Sequence, residues 1–215
     1  MDRSVYIPTL ANIDRSVYNV TMSAKKISNV AAIPARERIL RTAHDLFYRE
    51  GIRATGIDRI IAESGVTKVT FYRHFPSKND LIRAYLEYRH ELWMSWFIDA
   101  LNRHQLPRQQ PSAALVPAMK EWFKSNDYRG CAFINTVVEF DGALPEVLEI
   151  SRRHKLEMTT VIASLLPATK HRELDAQAVA MAIDGAIVRA QMDKSTADAL
   201  KVLDVLLRSL NLSGN

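Results

Sequence analysis

The segment SGVTKVTFYRHFPSK, residues 64–78, gathers Lys68, Arg73, His74 and Lys78 around Phe71, Tyr72 and Phe75. A plain core helix carries fewer charges, and a plain solvated face carries fewer aromatics. Gly65 suits a left-handed turn and Thr67 suits a helix N-cap, so a short helix is expected from Thr67 to about Phe75. Phe71 and Phe75 are four apart and face inward against Ile39, Phe47 and Ile60. Thr67, Lys68, Thr70, Arg73 and His74 are then left outward or along the flanks.

Working outward, Pro34 opens a helix with Ile39, Ala43, Leu46 and Phe47 in one stripe, ended at Gly51. A shorter helix carries Ile57, Ile60, Ile61 and Ser64 on one face. Ser77 and Asp80 form an S-x-x-D helix start, and a long helix follows to about Leu101. After the loop NRHQLPRQQPS, helices are expected near 112–125, 131–140, 144–166, 174–193 and 195–211. No segment alternates as a strand does. The fold class is all-α, about nine helices, with an N-terminal three-helix helix-turn-helix domain and a larger C-terminal helical domain. The expected boundaries are a disordered extension at 1–33, the helix-turn-helix at 34–80 and the remainder at 81–215. The extension repeats DRSVY, offers Met22 as an alternative start, and carries Lys25 and Lys26 toward a phosphate backbone.

Composition excludes several classes. The chain has 215 residues, 47% of them hydrophobic and 25% charged, as in ordinary globular proteins. Seven glycines leave little material for phosphate-cradling loops, and the lone Cys131 excludes an intrachain disulfide. No apolar run approaches a membrane span, so a cytoplasmic protein with no membrane partner is expected. Net charge is +5, and nine Lys and Arg against five Asp and Glu between Pro34 and Lys78 hold most of that excess.

Two short helices joined by a tight glycine turn are the pattern that places a second helix in a DNA major groove. Guanine offers acceptors there that Lys and Arg meet, and thymine offers a methyl. Lys68, Val69, Thr70 and Arg73 are therefore the candidates for reading sequence. Thr55, Thr67, Tyr72, His74 and Lys78 are candidates for hydroxyl or phosphate contact, Lys78 with the free amides of its helix start. Residues 36–86 resemble the DNA-binding domain of TetR/AcrR-family transcriptional regulators. The resemblance rests on Phe47, Gly51, Thr55, Ile60, Gly65-Val66, Thr70, Phe71-Tyr72, His74-Phe75, Lys78 and Leu81. Ile61 departs from it, standing where that family usually has alanine, and its bulk is expected to alter how the two helices cross.

Specific recognition needs two reading helices about one duplex turn apart, so a second copy is implied. The last two helices are the candidates to hold it: Ala178, Ala182, Gly185 and Ala186 permit close approach, and the final helix is apolar on more than one face. The resemblance implies a homodimer through these helices, a double-stranded operator with an inverted repeat, and a small-molecule inducer that releases a repressor. Trp93, Trp96, Phe97, Trp122, Phe133, Asn135, Glu139, His154 and Asp184 are the candidates to line an inducer site. No cofactor and no metal are expected. Catalysis is not expected either: HELWM at 90–94 lacks the second histidine of a zinc helix, and Ser151 with His154 on one helix makes no nucleophile–base pair. Two alternatives stay open, a DNA binder without a ligand gate and a thiol-based redox or electrophile sensor through Cys131.

Overall fold

The computed structural model describes residues 33–107, 109–140, 142–193 and 195–210. The expected extension, with Met22, Lys25 and Lys26, lies outside them except for Ile33. The described residues form nine α-helices and no strand: α1 (Ala35–Glu50), α2 (Ile57–Ser64), α3 (Lys68–His74), α4 (Lys78–His104), α5 (Leu115–Phe123), α6 (Ala132–Phe140), α7 (Pro145–Ser164), α8 (Arg172–Met192) and α9 (Ala197–Ser209). A 3-10 helix at Pro111–Ala114 leads into α5.

The chain divides into two compact units, and the division falls inside α4 between Trp93 and Met94. One unit, termed the reading-head unit after the role expected of α3, joins the described residues from Ile33 to Trp93 with Ala132–Arg152, so α6 and the start of α7 cluster with α1–α3. The other, termed the effector unit after the inducer-site residues expected there, contains Met94–Cys131 and the described residues from Arg153 to Leu210. Contact, not sequence order, defines such a compact body.

In the reading-head unit, α1 buries Ile39, Leu40, Ala43, Leu46 and Phe47, and packs on both α2 and α3. The stripe Leu81, Ile82, Tyr85 and Leu86 of α4 completes that core. The start of α4 is capped locally. Ser77 Oγ accepts from the Asp80 amide at 3.1 Å and donates to the Asp80 carboxylate at 2.6 Å. Arg83 pairs with Asp80 and also reaches Glu146 on α7 at 3.2 Å.

In the effector unit, α8 and α9 lie against each other, and α9 also meets α5. The turn before α6 is stitched to α8. Tyr128 donates to the Ile187 carbonyl at 2.9 Å, and Gln191 Nε2 donates to the Arg129 carbonyl at 3.0 Å. Gly130 sits there at φ +80°, and a Cβ in its place would lie 1.9 Å from the Gln191 side chain. Only glycine fits that turn while Gln191 keeps its position.

Candidate nucleic-acid interface

The turn between α2 and α3 takes its shape from two residues. Gly65 closes α2 in the left-handed region, φ 63° and ψ 38°, which an unbranched backbone tolerates. Thr67 then caps α3, its Oγ1 accepting from the Thr70 amide at 3.1 Å and lying 2.9 Å from the Thr70 hydroxyl. A third tie comes from α1, where Arg38 donates to the Gly65 carbonyl at 3.4 Å.

The aromatics behave as their spacing requires. Phe71 is fully buried and Phe75 nearly so, with their rings 6.3 Å apart. Arg36 lies over the Phe75 ring at 5.2 Å, a cation–π contact that covers the end of α3. With one face of α3 held down, Lys68, Val69, Tyr72 and Arg73 stand exposed, and Thr70 and His74 are half-buried beside them. Val69 is 71% exposed, an apolar side chain placed outward among polar ones. Lys68 rests 4.0 Å from Asp58 across open solvent, a pair too exposed to restrain it.

Two of the expected contact residues turn inward. Thr55 is fully buried, and its hydroxyl donates to the Gly51 carbonyl at 2.8 Å. It shapes the turn after α1 and presents nothing to a phosphate. Lys78 directs its ammonium to the carbonyls of Ile52 and Thr55, at 2.6 and 2.7 Å, near the face of Phe47. Burial pushes the Lys78 pKa below the ordinary lysine value, and the Glu139 carboxylate opposes that shift. These carbonyls satisfy a cation that the sequence had suggested for the surface. Ile61 is half-buried on α2.

The expected inducer-site residues separate into different roles. In the effector unit, Trp96 and Trp122 approach at 6.0 Å and extend through Phe123 and Tyr128 into one aromatic cluster. Trp96 Nε1 donates to Glu121 at 3.1 Å, and Arg103 and His104 share that carboxylate. Burial pushes the Glu121 pKa up, and its three hydrogen-bonded donors outweigh that, holding it below the usual carboxylate range. Phe97 and His154 are buried in the same unit. Asp184, inside the apolar run of α8, is committed to Lys155 at 2.5 Å. Burial works against the Lys155 ammonium, and the adjacent Cys131 and Asp184 outweigh it, holding that pKa above the ordinary lysine value. Asp184 is thus an ion-pair partner inside the unit. Cys131 is itself buried.

In the reading-head unit, Trp93 and Phe133 are buried and Asn135 is exposed. Glu139 does something its sequence position did not announce. Its carboxylate accepts from the Ile52 amide at 3.2 Å and from the Arg53 amide. An open groove of about 800 Å³ lies between α5 and α9, lined by Val116, Pro117, Lys120, Leu200, Asp204 and Arg208 among others. It includes none of the expected inducer-site residues.

A capped, glycine-turned helix pair with a buried aromatic anchor and an exposed polar face is the helix-turn-helix class of DNA-binding module. The comparisons with known proteins narrow the class. Residues 39–85 match the family model of bacterial regulatory proteins of the tetR family. A TetR-family transcriptional regulator of known structure from Streptomyces coelicolor is 32% identical, with a TM-score of 0.71 over 82% of this chain and 95% of that one. A TetR-family regulator from Cytophaga hutchinsonii shares the fold at 16% identity, with a TM-score of 0.70 over 81% of this chain and 92% of that one. An uncharacterised HTH-type transcriptional regulator of Lactococcus lactis subsp. lactis is 28% identical over 109 residues, 48% of this chain. The match spans 54% of that relative's length. This chain belongs to the TetR family of transcriptional regulators, a family of DNA-binding regulators rather than enzymes.

Proposed function

We propose that the protein is a cytoplasmic repressor that binds an inverted-repeat operator as a homodimer and is released by a small-molecule inducer. The observation that carries the DNA-binding part is the exposed face of α3, held on a buried Phe71. Lys68, Val69, Thr70 and Arg73 read base edges, and Thr67, Tyr72 and His74 meet the backbone or the edge of the groove. Among the described residues, no helix is long and apolar enough to cross a membrane.

Support for the dimer comes from α8 and α9. On α8, Met181, Gly185, Val188 and Met192 stand exposed at helical spacing, and on α9 Val202, Val205 and Leu206 do the same. Met181 is 75% and Val205 64% exposed, although Leu203 and Leu207 of the same α9 are buried. A helix apolar on two faces has one face for its own subunit and one for another. Of the small residues expected at that approach, Ala186 is instead buried within the unit. For the inducer, Trp96, Phe97, Trp122 and His154 of the effector unit are the lining residues we carry forward. Asp184 and Glu139 are already bonded, to Lys155 and to the Ile52 and Arg53 amides.

The test is selection of bound sites from random duplex DNA by the full-length protein. An enriched inverted repeat, with half-sites about one duplex turn apart, supports sequence reading by a dimer. Retained DNA without enrichment means a binder of backbone alone, and its affinity falls steeply and equally for all sequences as salt rises. The enriched site then serves as the probe against which small molecules are screened for release.

A further inference from the structure

The turn between α1 and α2 is held from outside itself. Within residues 51–55 the backbone makes a single internal hydrogen bond among those described, Thr55 N–H to the Ile52 carbonyl at 3.3 Å. Four further bonds come from distant partners. One carboxylate, Glu139 on α6, takes the amides of Ile52 and Arg53. One ammonium, Lys78 on α4, takes the carbonyls of Ile52 and Thr55. The guanidinium of Arg53 also lies over the ring of Phe140, beside Glu139, at 5.6 Å. Two opposite charges therefore grip one short segment through its donors and its acceptors. The helix that follows has no hold of its own at that end: α2 begins after Gly56 with no side-chain cap. Its entry is set by the turn, and α3 packs on α2.

We propose that Glu139 is a positioning residue of the reading head, a carboxylate clamp on the Ile52 and Arg53 amides that fixes where α2, and with it α3, is presented. Glu139 lies outside residues 39–85 that match the family model, so the helix-turn-helix of this chain is incomplete without a residue from α6. The inference rests on α3 being the DNA-reading helix. Charge-assisted hydrogen bonds from backbone amides are strong enough that losing them changes the occupancy of a backbone position by about tenfold or more.

The experiment compares wild type with Glu139→Gln and Glu139→Asp, at a temperature well below all three unfolding midpoints. Hydrogen exchange is read at residues 52 and 53, and affinity for the selected inverted repeat is read across a salt series. Glu139→Gln keeps the size and loses the charge; Glu139→Asp keeps the charge and loses the reach. In both, exchange at residues 52 and 53 is expected to rise about tenfold or more, and operator affinity to fall by about five- to tenfold. The slope of log affinity against log salt is expected to stay that of wild type, because no phosphate contact is lost. A merely stabilising residue would lower the unfolding midpoint and leave affinity of the folded protein within twofold; that result overturns the proposal. A shallower salt slope overturns it too, since Glu139 would then act through the phosphate contacts themselves. Wild-type behaviour in Glu139→Asp, beside a loss in Glu139→Gln, would make charge rather than the clamp the agent. If wild type retains no DNA, the functional reading fails, and the clamp stands or falls on the exchange rates alone.

Discussion

Helix α3 and the α8–α9 pair both leave side chains exposed, and they do so in opposite chemistry. On α3 the exposed set is Lys68, Tyr72 and Arg73 with a single aliphatic, Val69. On α8 and α9 it includes, among charged residues, the apolar Met181, Val188, Met192, Val202, Val205 and Leu206. The first face suits a hydrated polyanion, where charge gives affinity and a few directed donors give sequence. The second suits an apolar counterpart, where burial gives affinity and shape gives register. The anchoring differs as well. Helix α3 has seven residues and depends on Phe71 and Phe75 for its position, whereas α8 has 21 residues and a full buried stripe of its own. A short helix must be held by neighbours; a long one carries its own stripe.

Breaking the anchor is expected to have the largest effect. Phe71→Ala empties a fully buried site and should cost about 3–5 kcal/mol, seen as a fall in the unfolding midpoint of roughly 10 °C. Because α3 loses its seat, operator affinity should fall with it in a titration at low temperature. Next comes the apolar face. Met181→Glu with Val205→Glu places charges where the proposed partner lies, and the dimer dissociation constant should rise about a hundredfold or more by sedimentation. Both positions are exposed in the subunit, so its circular dichroism should be unchanged. An intact dimer would move the interface to another surface.

A smaller effect sharpens the α3 side. Arg73→Ala should cost about 1–3 kcal/mol at one base position and relax preference there. Uniform weakening across all sequences, with a shallower salt slope, would make Arg73 a phosphate contact instead. The smallest effect lies at the start of α4. Hydrogen bonding from Ser77, then the Arg83 charge, hold the Asp80 carboxyl below the usual carboxylate range. Its folded pKa is therefore lower than its unfolded one. The stabilisation is present above the unfolded value, roughly 4, and is lost as pH falls through the folded pKa. Thermal midpoints of wild type and Asp80→Asn should accordingly converge as pH is lowered from 6 to 3.

Local signals were legible in the chain. Gly65 at the turn, Thr67 at the cap, Ser77 with Asp80 at the next helix start, and Phe71 with Phe75 four apart all act within a few residues of themselves. Their reading from sequence needs only helical periodicity and backbone donors. The inward turn of Thr55 and Lys78 was not legible, because the receiving carbonyls lie at Gly51, Ile52 and Thr55 in a turn whose path tertiary contact sets. The same holds for Asp184, whose partner Lys155 stands 29 residues away on another helix. A polar residue in an apolar stripe announces that it has a partner; it does not announce which.

Residue types and their spacing were thus enough to determine the helices of the described residues, the glycine turn, the buried aromatics and the exposed face of α3, since each depends on neighbours along one helix or its caps. Tertiary structure alone decided that α6 clusters with the reading head and that Glu139 grips the Ile52 amide from 87 residues away. A carboxylate satisfies any amide brought within reach, and reach across that separation is a property of how the chain folds back.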